Sequence, residues 1–247
     1  MPKIMIFGDS YAADYEIAKS WTRDVAEEFP EYGIRNFAVA ASSLDYLYFT
    51  YERWRAHLEA NDIVIMTLTA MERIFLREPT ISGRPRFMTS HQITPAKNDR
   101  TPEPLDHKLQ EFFVGDMFNP DAHGATMNVF LNALQYDAIT KDITVVVIPI
   151  GGDNYINRED KEHIEIAMCQ EDPGSAEAGL TGVTKRQMET MFDLKGKFWT
   201  ELKECWVQDF KHANHLTPIN NKVLANKVIR NIRTKEPIDL RTEWVYK

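Results

Sequence analysis

Ile4-Met-Ile-Phe7 is a short apolar run that ends at Gly8, and it predicts a buried β-strand followed by a turn. Further along the chain, apolar runs of strand length alternate with segments whose apolar residues recur at helical spacing. Apolar strands that alternate with helices are typical of parallel βαβ units, so the sequence predicts an open, doubly wound α/β sheet. The predicted strands are 4–7, 34–39, 63–66 and 143–150, and the predicted helices are 17–29, 44–58, 131–139, 184–211 and 218–233.

Composition and charge narrow the class of protein. Of 247 residues 27% are charged, and 29 basic against 37 acidic residues give a formal net charge of −8. With this balance and no stripe of Lys and Arg, we expect no nucleic-acid partner. The apolar run at 145–150 is far shorter than the ~20 residues of a membrane helix, so we expect no membrane partner. Gly8-Asp9-Ser10 comes too early for a signal peptide, and Cys169 and Cys205 make no disulfide framework, which together predict a cytoplasmic location.

The chain shows neither internal repeats nor a linker, which predicts a single domain over 1–247. An irregular insertion interrupts this domain at about 78–124, a stretch that contains six prolines and shows no helical or strand periodicity. Ser82-Gly83 favours a small hairpin turn there. Long irregular segments in compact domains are often lids, binding loops or oligomer contacts, and a plain surface excursion is the alternative. An oligomer contact of this kind would make the chain a homo-oligomer.

Gly8-Asp9-Ser10 is the first candidate for chemistry. It follows the first predicted strand and precedes a helix, and in open α/β sheets ligands bind at this carboxyl edge. A serine at this position is exposed, and neighbouring backbone N–H groups can hold an anion. The alternative is a simple strand-to-helix turn capped by Asp9 or Ser10, because turns favour all three residue types.

His215-Leu-Thr-Pro218 is the second candidate, about 200 residues later. Thr217 suits the N-cap of the last predicted helix and Pro218 its first position, so His215 lies on a well-anchored loop. A serine needs a base to become a nucleophile, and histidine titrates in the right range. The alternative is an ordinary histidine on a surface loop.

Together, these two segments resemble the first and last motifs of the SGNH (GDSL) hydrolase superfamily. The family's first block is a strand followed by Gly-Asp-Ser, matched by Lys3-Ile-Met-Ile-Phe-Gly-Asp-Ser10. Its last block is a His, often followed by Leu-Thr-Pro and a helix with Leu-Ala, matched by His215-Leu-Thr-Pro-Ile-Asn-Asn-Lys-Val-Leu-Ala225. The resemblance implies a flavodoxin-like, three-layer α/β sandwich with a parallel sheet of four or five strands. The family usually has its fifth strand before the last block. The stretch before that block here, 184–211, has the apolar spacing of a helix, so the fifth strand has no evident place.

The resemblance also implies a serine esterase. Ser10 would be the nucleophile and His215 the general base, and hydrolysis would pass through an acyl-enzyme without a cofactor. The implied substrate is a small-molecule or glycan ester, such as an O-acetyl group on a carbohydrate. The pattern Leu68-Thr69 to Arg73 resembles a branch common among phage-encoded members, which would place the protein in a phage-infected bacterial host.

The oxyanion-binding motifs of the family are altered in this chain. The block Asn-x-Gly-x-x-Gly reads Asn36-Phe-Ala-Val-Ala-Ala41, so the backbone N–H of Ala41 replaces that of the last glycine. In the next block Met71 stands where the family has a donating Asn, and Met cannot donate. The candidates for contact with the oxyanion or the substrate are Ala41, Thr69, Arg73 and Asp9, with Thr67 as a further donor.

The family's acidic residue is also missing. It normally precedes the histidine by three residues, and that position holds His212. Three explanations stay open: a backbone carbonyl orients His215 in a Ser–His dyad, another carboxylate replaces the acid, or the site is inactive. The pair His212 and His215 lacks a third ligand at a recognisable spacing, so we expect no metal. The candidate acids and cleft residues are Asp209, Asp153 and Asn154, the last two in a loop after the strand at 143–150.

The departures at Ala38, Ala41, Met71 and His212 support an alternative function. The chain would then be a catalytically degraded SGNH-like protein that binds a glycan or a protein partner through the old cleft or the 78–124 insertion. A phage structural component is a third interpretation. Loss of turnover in Ser10→Ala would indicate the enzyme, whereas a binding protein would keep its ligand.

Overall fold

The computed structural model describes residues 1–9, 11–14, 20–39, 42–68, 73–76, 86–89, 119–149, 156–168 and 218–243, with the backbone alone for 73–76, 86–89, 120 and 218–219. Within these ranges the strands are β1 (Lys3–Phe7), β2 (Gly33–Asn36), β3 (Ile63–Leu68), β4 (Arg73–Leu76), β5 (Arg86–Thr89), β6 (Thr144–Pro149) and β7 (Glu165–Ile166). The helices are α1 (Trp21–Glu28), α2 (Leu44–Trp54), α3 (Pro120–Lys141) and α4 (Pro218–Thr234), and a short 3₁₀ helix (Arg55–His57) follows α2.

Five parallel strands form the main sheet in the order β2-β1-β3-β6-β7. Counted along the strands of this sheet, the order is 2-1-3-4-5, which is the flavodoxin-like arrangement. The longest pairing is central, where β3 and β6 match from Ile63↔Thr144 to Leu68↔Pro149. The predicted parallel sheet is therefore confirmed, and it has five strands.

Helices cover both faces of the sheet, as the predicted three-layer sandwich requires. Successive side chains of a strand point to opposite faces. In β1, Ile4 and Ile6 pack against α1 and α4, whereas Met5 and Phe7 pack against α2 and α3. The helices contribute Trp21 and Val25 of α1, Leu224 and Val228 of α4, Leu47 and Tyr51 of α2, and Phe130 and Leu134 of α3.

Side-chain caps fix where three of the helices begin. Ser20, Ser43 and Asn119 each accept hydrogen bonds from N–H groups in the first turn of the helix that follows, and Pro120 occupies the first position of α3. Consequently α1 begins at residue 21 rather than 17, and α3 begins at 120 rather than 131. The start of α3 was missed because its first turns carry small and polar residues without a clear apolar period.

The helices α1 and α4 run parallel to each other on one face. At their amino ends, the Trp21 N–H donates to Asn221 Oδ1 at 3.3 Å. At their carboxyl ends, Arg233 pairs with Glu28 and lies over the Phe29 ring, 5.6 Å from its centroid. Since α1 begins at the carboxyl edge of the sheet, α4 begins at that edge too.

The structure also corrects the sequence expectations at the far edge of the main sheet. The fifth strand is β7, parallel to β6, in a stretch where no strand was expected. The segment after α4, which has no periodicity, extends this edge through a parallel bridge between Met168 and Asp239.

Part of the predicted irregular insertion has regular structure. The strand β5 lies within the insertion and pairs antiparallel with β4, which precedes it, and α3 begins inside the stretch expected to be irregular. The turn at Ser82-Gly83 and the predicted helix at 184–211 lie outside the described residues.

Candidate functional site

Gly8 follows β1 at the carboxyl edge of the sheet and packs directly on Thr67 of β3. A Cβ added to Gly8 would lie 1.8 Å from Thr67 Oγ1 and 2.9 Å from the Cβ of Ala12, so a side chain does not fit. Thr67 is fully buried, and its hydroxyl donates to the Phe7 carbonyl at 3.5 Å. Thr67 therefore forms a floor beneath the loop that leads to Ser10.

Asp9 shapes the turn around Ser10 from a fully buried position. Its Oδ1 accepts the Tyr11 N–H at 3.0 Å, and its carbonyl accepts the N–H groups of Ala12 at 3.1 Å and Ala13 at 2.9 Å. These contacts form a turn directly after β1, whereas the N-cap of α1 is Ser20, so the expectation that Asp9 or Ser10 caps the following helix is wrong for α1. Contact of Asp9 with the oxyanion or the substrate stays a prediction.

The loop after β2 is tied to the same turn through the carbonyl of Gly8. This oxygen accepts the Val39 N–H at 3.0 Å and the Ser42 hydroxyl at 2.9 Å. Ser42 is fully buried, so its hydroxyl is held in place by the surrounding packing. The residues on both sides of Ala41 are thereby fixed next to the residues that precede Ser10.

Asn36, the last residue of β2, makes a second link between the two loops. Its Nδ2 donates to the Ala12 carbonyl at 2.8 Å, and its Oδ1 accepts the Ala38 N–H at 2.9 Å. One amide side chain thus spans the turn after β1 and the loop after β2, using both a donor and an acceptor.

Trp21 connects this edge to the start of α4. Its indole N–H donates to the Tyr11 carbonyl at 2.7 Å, while its backbone N–H donates to Asn221. Tyr11 is the neighbour of Ser10, and α4 begins three residues after His215. The described contacts therefore place the chain segments that flank Ser10 and the helix that follows His215 at one edge of the sheet.

Most of the predicted site residues lie outside the described residues, so their roles stay predictions. Arg73 is described by its backbone as the first residue of β4, paired with Thr89, shortly after β3 ends at this edge. The predicted site residues outside the described ranges are Ser10, Ala41, Thr69, Asp153, Asn154, Asp209, His212 and His215.

Sequence reasoning missed the residues that hold the two loops together. Asn36 begins the altered block that ends at Ala41, and Ser42 directly follows that block. Their signal was a polar residue at the end of a strand or directly after the loop. The apolar spacing predicts Trp21 as a core residue, and it is fully buried. Its indole and backbone N–H groups also link the turn after β1 to the start of α4, which the spacing does not show.

The described ranges contain no cluster of three or more His, Cys, Asp or Glu side chains that could hold a metal ion. Within the same ranges, no helix is long and apolar enough to cross a membrane.

Comparison with known proteins gives structural likenesses at low identity. No protein-family model matches the chain, and no curated protein matches it. A lipolytic protein of the G-D-S-L family from Veillonella parvula is 12% identical, with a TM-score of 0.43 over 95% of this chain and 100% of its own. A Bacillus subtilis protein is 11% identical, with a TM-score of 0.43 over 95% of this chain and 56% of its own.

A third similar structure, from Desulfitobacterium hafniense, is named as a candidate lipolytic protein of the G-D-S-L family. It is 12% identical, with a TM-score of 0.41 over 93% of this chain and 99% of its own. Two of the three structures are thus named as members of the G-D-S-L family. Because the identities and TM-scores are low, the fold of this chain is assigned from its own strand order.

Proposed function

We propose that the protein is a serine esterase of the SGNH type, with Ser10 as nucleophile and His215 as general base. The substrate would be a small acyl ester, with an O-acetyl group on a carbohydrate as the first choice. The observation that carries this proposal is the Gly8 carbonyl, which accepts from Val39 and Ser42 and so joins the turn before Ser10 to the loop that carries Ala41.

The topology supports the same pairing of residues. In flavodoxin-like sheets, ligands bind outside the carboxyl ends of the strands. The turn at Gly8-Asp9 and the first turn of α4 both lie at that edge, joined through Trp21. His215, three residues before α4, is thereby expected within reach of Ser10.

The proposed reaction has two steps. His215 takes the proton of Ser10 as Oγ attacks the ester carbonyl, and the alcohol leaves with that proton to give an acyl-serine. A water molecule then loses a proton to His215 and attacks the acyl-serine, and His215 returns that proton to Ser10 Oγ as the bond to the acyl group breaks and the carboxylic acid leaves. The N–H groups of Ser10 and Ala41, with Arg73 or Thr69, would stabilise the oxyanion in both steps.

The departures from the family's motifs predict slow turnover. Loss of one oxyanion donor typically costs about 10²–10³ in kcat, and Met71 replaces such a donor. His212 at the usual place of the acid removes a further orienting carboxylate, unless Asp209 or Asp153 replaces it.

Labelling with a fluorophosphonate probe, read by intact mass, tests the proposal independently of the substrate. We expect one adduct on the wild type, mapped to Ser10, and none on Ser10→Ala or His215→Ala. His57→Ala is the matched control, because His57 is exposed and follows α2 at the opposite, amino edge of the sheet. This control is expected to label like the wild type.

Absence of labelling on folded wild-type protein would contradict the esterase. It would favour the alternative function, a degraded SGNH-like protein that binds a glycan or a protein partner, which the altered residues Ala38, Ala41 and Met71 motivate. Equal labelling of wild type and His215→Ala would contradict His215 as the general base but would leave Ser10 as the nucleophile.

A further inference from the structure

The chain directly after Ser10 is fixed by hydrogen bonds at both ends of one peptide group. The carbonyl of Tyr11 accepts the indole N–H of Trp21 at 2.7 Å. The N–H of the same peptide group belongs to Ala12, and it donates to the Asp9 carbonyl at 3.1 Å. Because a peptide group is planar, a bond at each end fixes its orientation. Trp21 therefore helps to set the course of the chain where it leaves Ser10.

Trp21 is itself held from two directions. Its side chain is fully buried among apolar side chains of α1 and α4. Its backbone N–H donates to Asn221 Oδ1 at 3.3 Å. The two N–H groups of Trp21 thus bind two different segments, the turn after β1 and the start of α4. A shift of α4 at this point is passed on to the turn through one buried residue.

Asn221 lies in the first turn of α4, six residues after His215. The next turns of α4 pack into the core, so the helix is a rigid element from this point on. A second link between α1 and α4, the ion pair of Arg233 with Glu28, lies about 18 Å further along the helix. The bond from Asn221 to Trp21 therefore locates the end of α4 that is joined to His215.

We propose that Asn221 is a positioning residue for Ser10 and His215, and that it acts through Trp21. This role rests on the proposed esterase, because it concerns the alignment of the nucleophile and the base. Asn221 sets the first turn of α4 against Trp21, and Trp21 sets the chain after Ser10. Alignment of this kind is costly to lose, since a displacement of about 1 Å can lower the rate about 10²-fold.

The bond requires a hydrogen-bond acceptor at position 221. Asp keeps an oxygen at the place of Asn Oδ1, whereas Leu has a similar shape and no acceptor. Asn221→Asp and Asn221→Leu therefore separate the acceptor from the bulk of the side chain. A role in packing alone predicts that both variants behave alike.

Fluorophosphonate labelling at Ser10 measures the alignment when it is resolved into probe binding and the covalent step. We expect Asn221→Leu to slow the covalent step at least about tenfold, with probe binding changed less than about twofold. Asn221→Asp is expected to restore the rate to within about threefold of wild type. Asn226→Leu is the matched control, because it makes the same change at an exposed position of α4, and it should label like the wild type.

A double variant tests whether Asn221 acts through Trp21. Trp21→Phe removes the indole N–H but keeps the backbone N–H that Asn221 accepts. It is expected to slow the covalent step on its own, without any change in α4. Each single variant breaks the connection at one end, so the double variant with Asn221→Leu should be no slower than the slower single variant. Losses that multiply would show that the two residues act independently and would overturn the proposal.

The remaining outcomes separate the role of Asn221 from the esterase itself. A wild type that labels at Ser10, with Asn221→Leu labelling equally fast, would overturn the role of Asn221 and leave the esterase standing. Equal slowing in Asn221→Leu and Asn221→Asp would also overturn it, because the acceptor would not matter. A folded wild type that does not label would contradict the esterase and the positioning role together. Urea unfolding of every variant ensures that the rates compare folded proteins.

Discussion

At the scale of single residues, Gly8 shows how one backbone position sets the shape of the candidate site. The space that a side chain would need is filled by Thr67 Oγ1, from a strand about 60 residues away in sequence. The loop to Ser10 can therefore pass close over β3 only if residue 8 has no Cβ. The sequence predicted a turn at Gly8 from residue type, but the reason for glycine lies in a contact across the sheet, which local patterns do not encode.

We predict that Gly8→Ala lowers the free energy of unfolding by about 3 kcal/mol, the upper range for overpacking a buried position. The double variant with Thr67→Ala is expected to recover part of this loss, because the 1.8 Å contact with Oγ1 disappears. Urea unfolding followed by circular dichroism measures both.

Gly33→Ala is the control for this prediction. Its added Cβ would meet the flexible end of Met1 at 3.1 Å, so we expect a change within about 0.5 kcal/mol. Equal stabilities of Gly8→Ala and Gly33→Ala would show that Thr67 does not exclude a side chain at position 8.

At the scale of elements, one buried carboxylate joins α2 to α3. Asp137 accepts the Tyr51 hydroxyl at 2.6 Å and two N–H groups of Arg55, each at 2.9 Å. Burial and the neighbouring Asp137 raise the pKa of Tyr51 far above its usual value, so the hydroxyl stays neutral and donates. These bonds hold the carboxyl ends of both helices together over the sheet.

We predict that Asp137→Ala lowers the free energy of unfolding by about 2–3 kcal/mol, because a buried hydroxyl and a partly buried guanidinium lose their partner. Glu52→Ala removes the other carboxylate bound to Arg55, but that side chain is 34% exposed, so the expected loss is below about 1 kcal/mol. Guanidinium chloride unfolding compares the two. Similar losses would contradict the special role of Asp137.

The elements that could be predicted from sequence are those whose apolar runs are long. The central strands β1, β3 and β6 lie within or close to their predicted bounds, because each is apolar over most of its length. The two-residue strand β7 has too little sequence to carry a period. The first turns of α3 carry small and polar residues without an apolar period, so its start could not be predicted either.

At the scale of the whole molecule, the segment after α4 completes the far edge of the sheet. The bridge at Asp239 sets this segment beside β7, and Leu240 beside it is fully buried. The Asp239 carboxylate is bound by the side chain and the backbone N–H of Arg241, and these hydrogen bonds hold its pKa below its usual value.

A group whose pKa is lowered by folding stabilises the folded state above its unfolded pKa and loses this effect as pH falls through its folded pKa. We therefore predict that Asp239→Asn is less stable than wild type at about pH 7, and that the difference shrinks below about pH 4. Thermal unfolding across this pH range measures it, and Arg241→Ala should follow the same trend. A difference independent of pH would show that the carboxylate charge is not involved.

The candidate site could be predicted only in part, because it is assembled from distant segments. The Gly8-Asp9-Ser10 and His215 motifs are local patterns, and they predict a site at the carboxyl edge of the sheet. The hydrogen bonds from Ser42, Asn36 and Trp21 cross between segments, so they depend on the strand order rather than on any one stretch of sequence.

The parallel packing of α1 and α4 has a consequence for how the chain folds. Trp21 and Asn221 meet across 200 residues of sequence, so their contact requires closing nearly the whole chain into a loop. Contacts of such separation slow folding, whereas α2 and its neighbouring strands close much shorter loops. During refolding, reactivity at Ser10 is therefore expected to return after most of the helix signal, as a late step that depends on the arrival of the last helix.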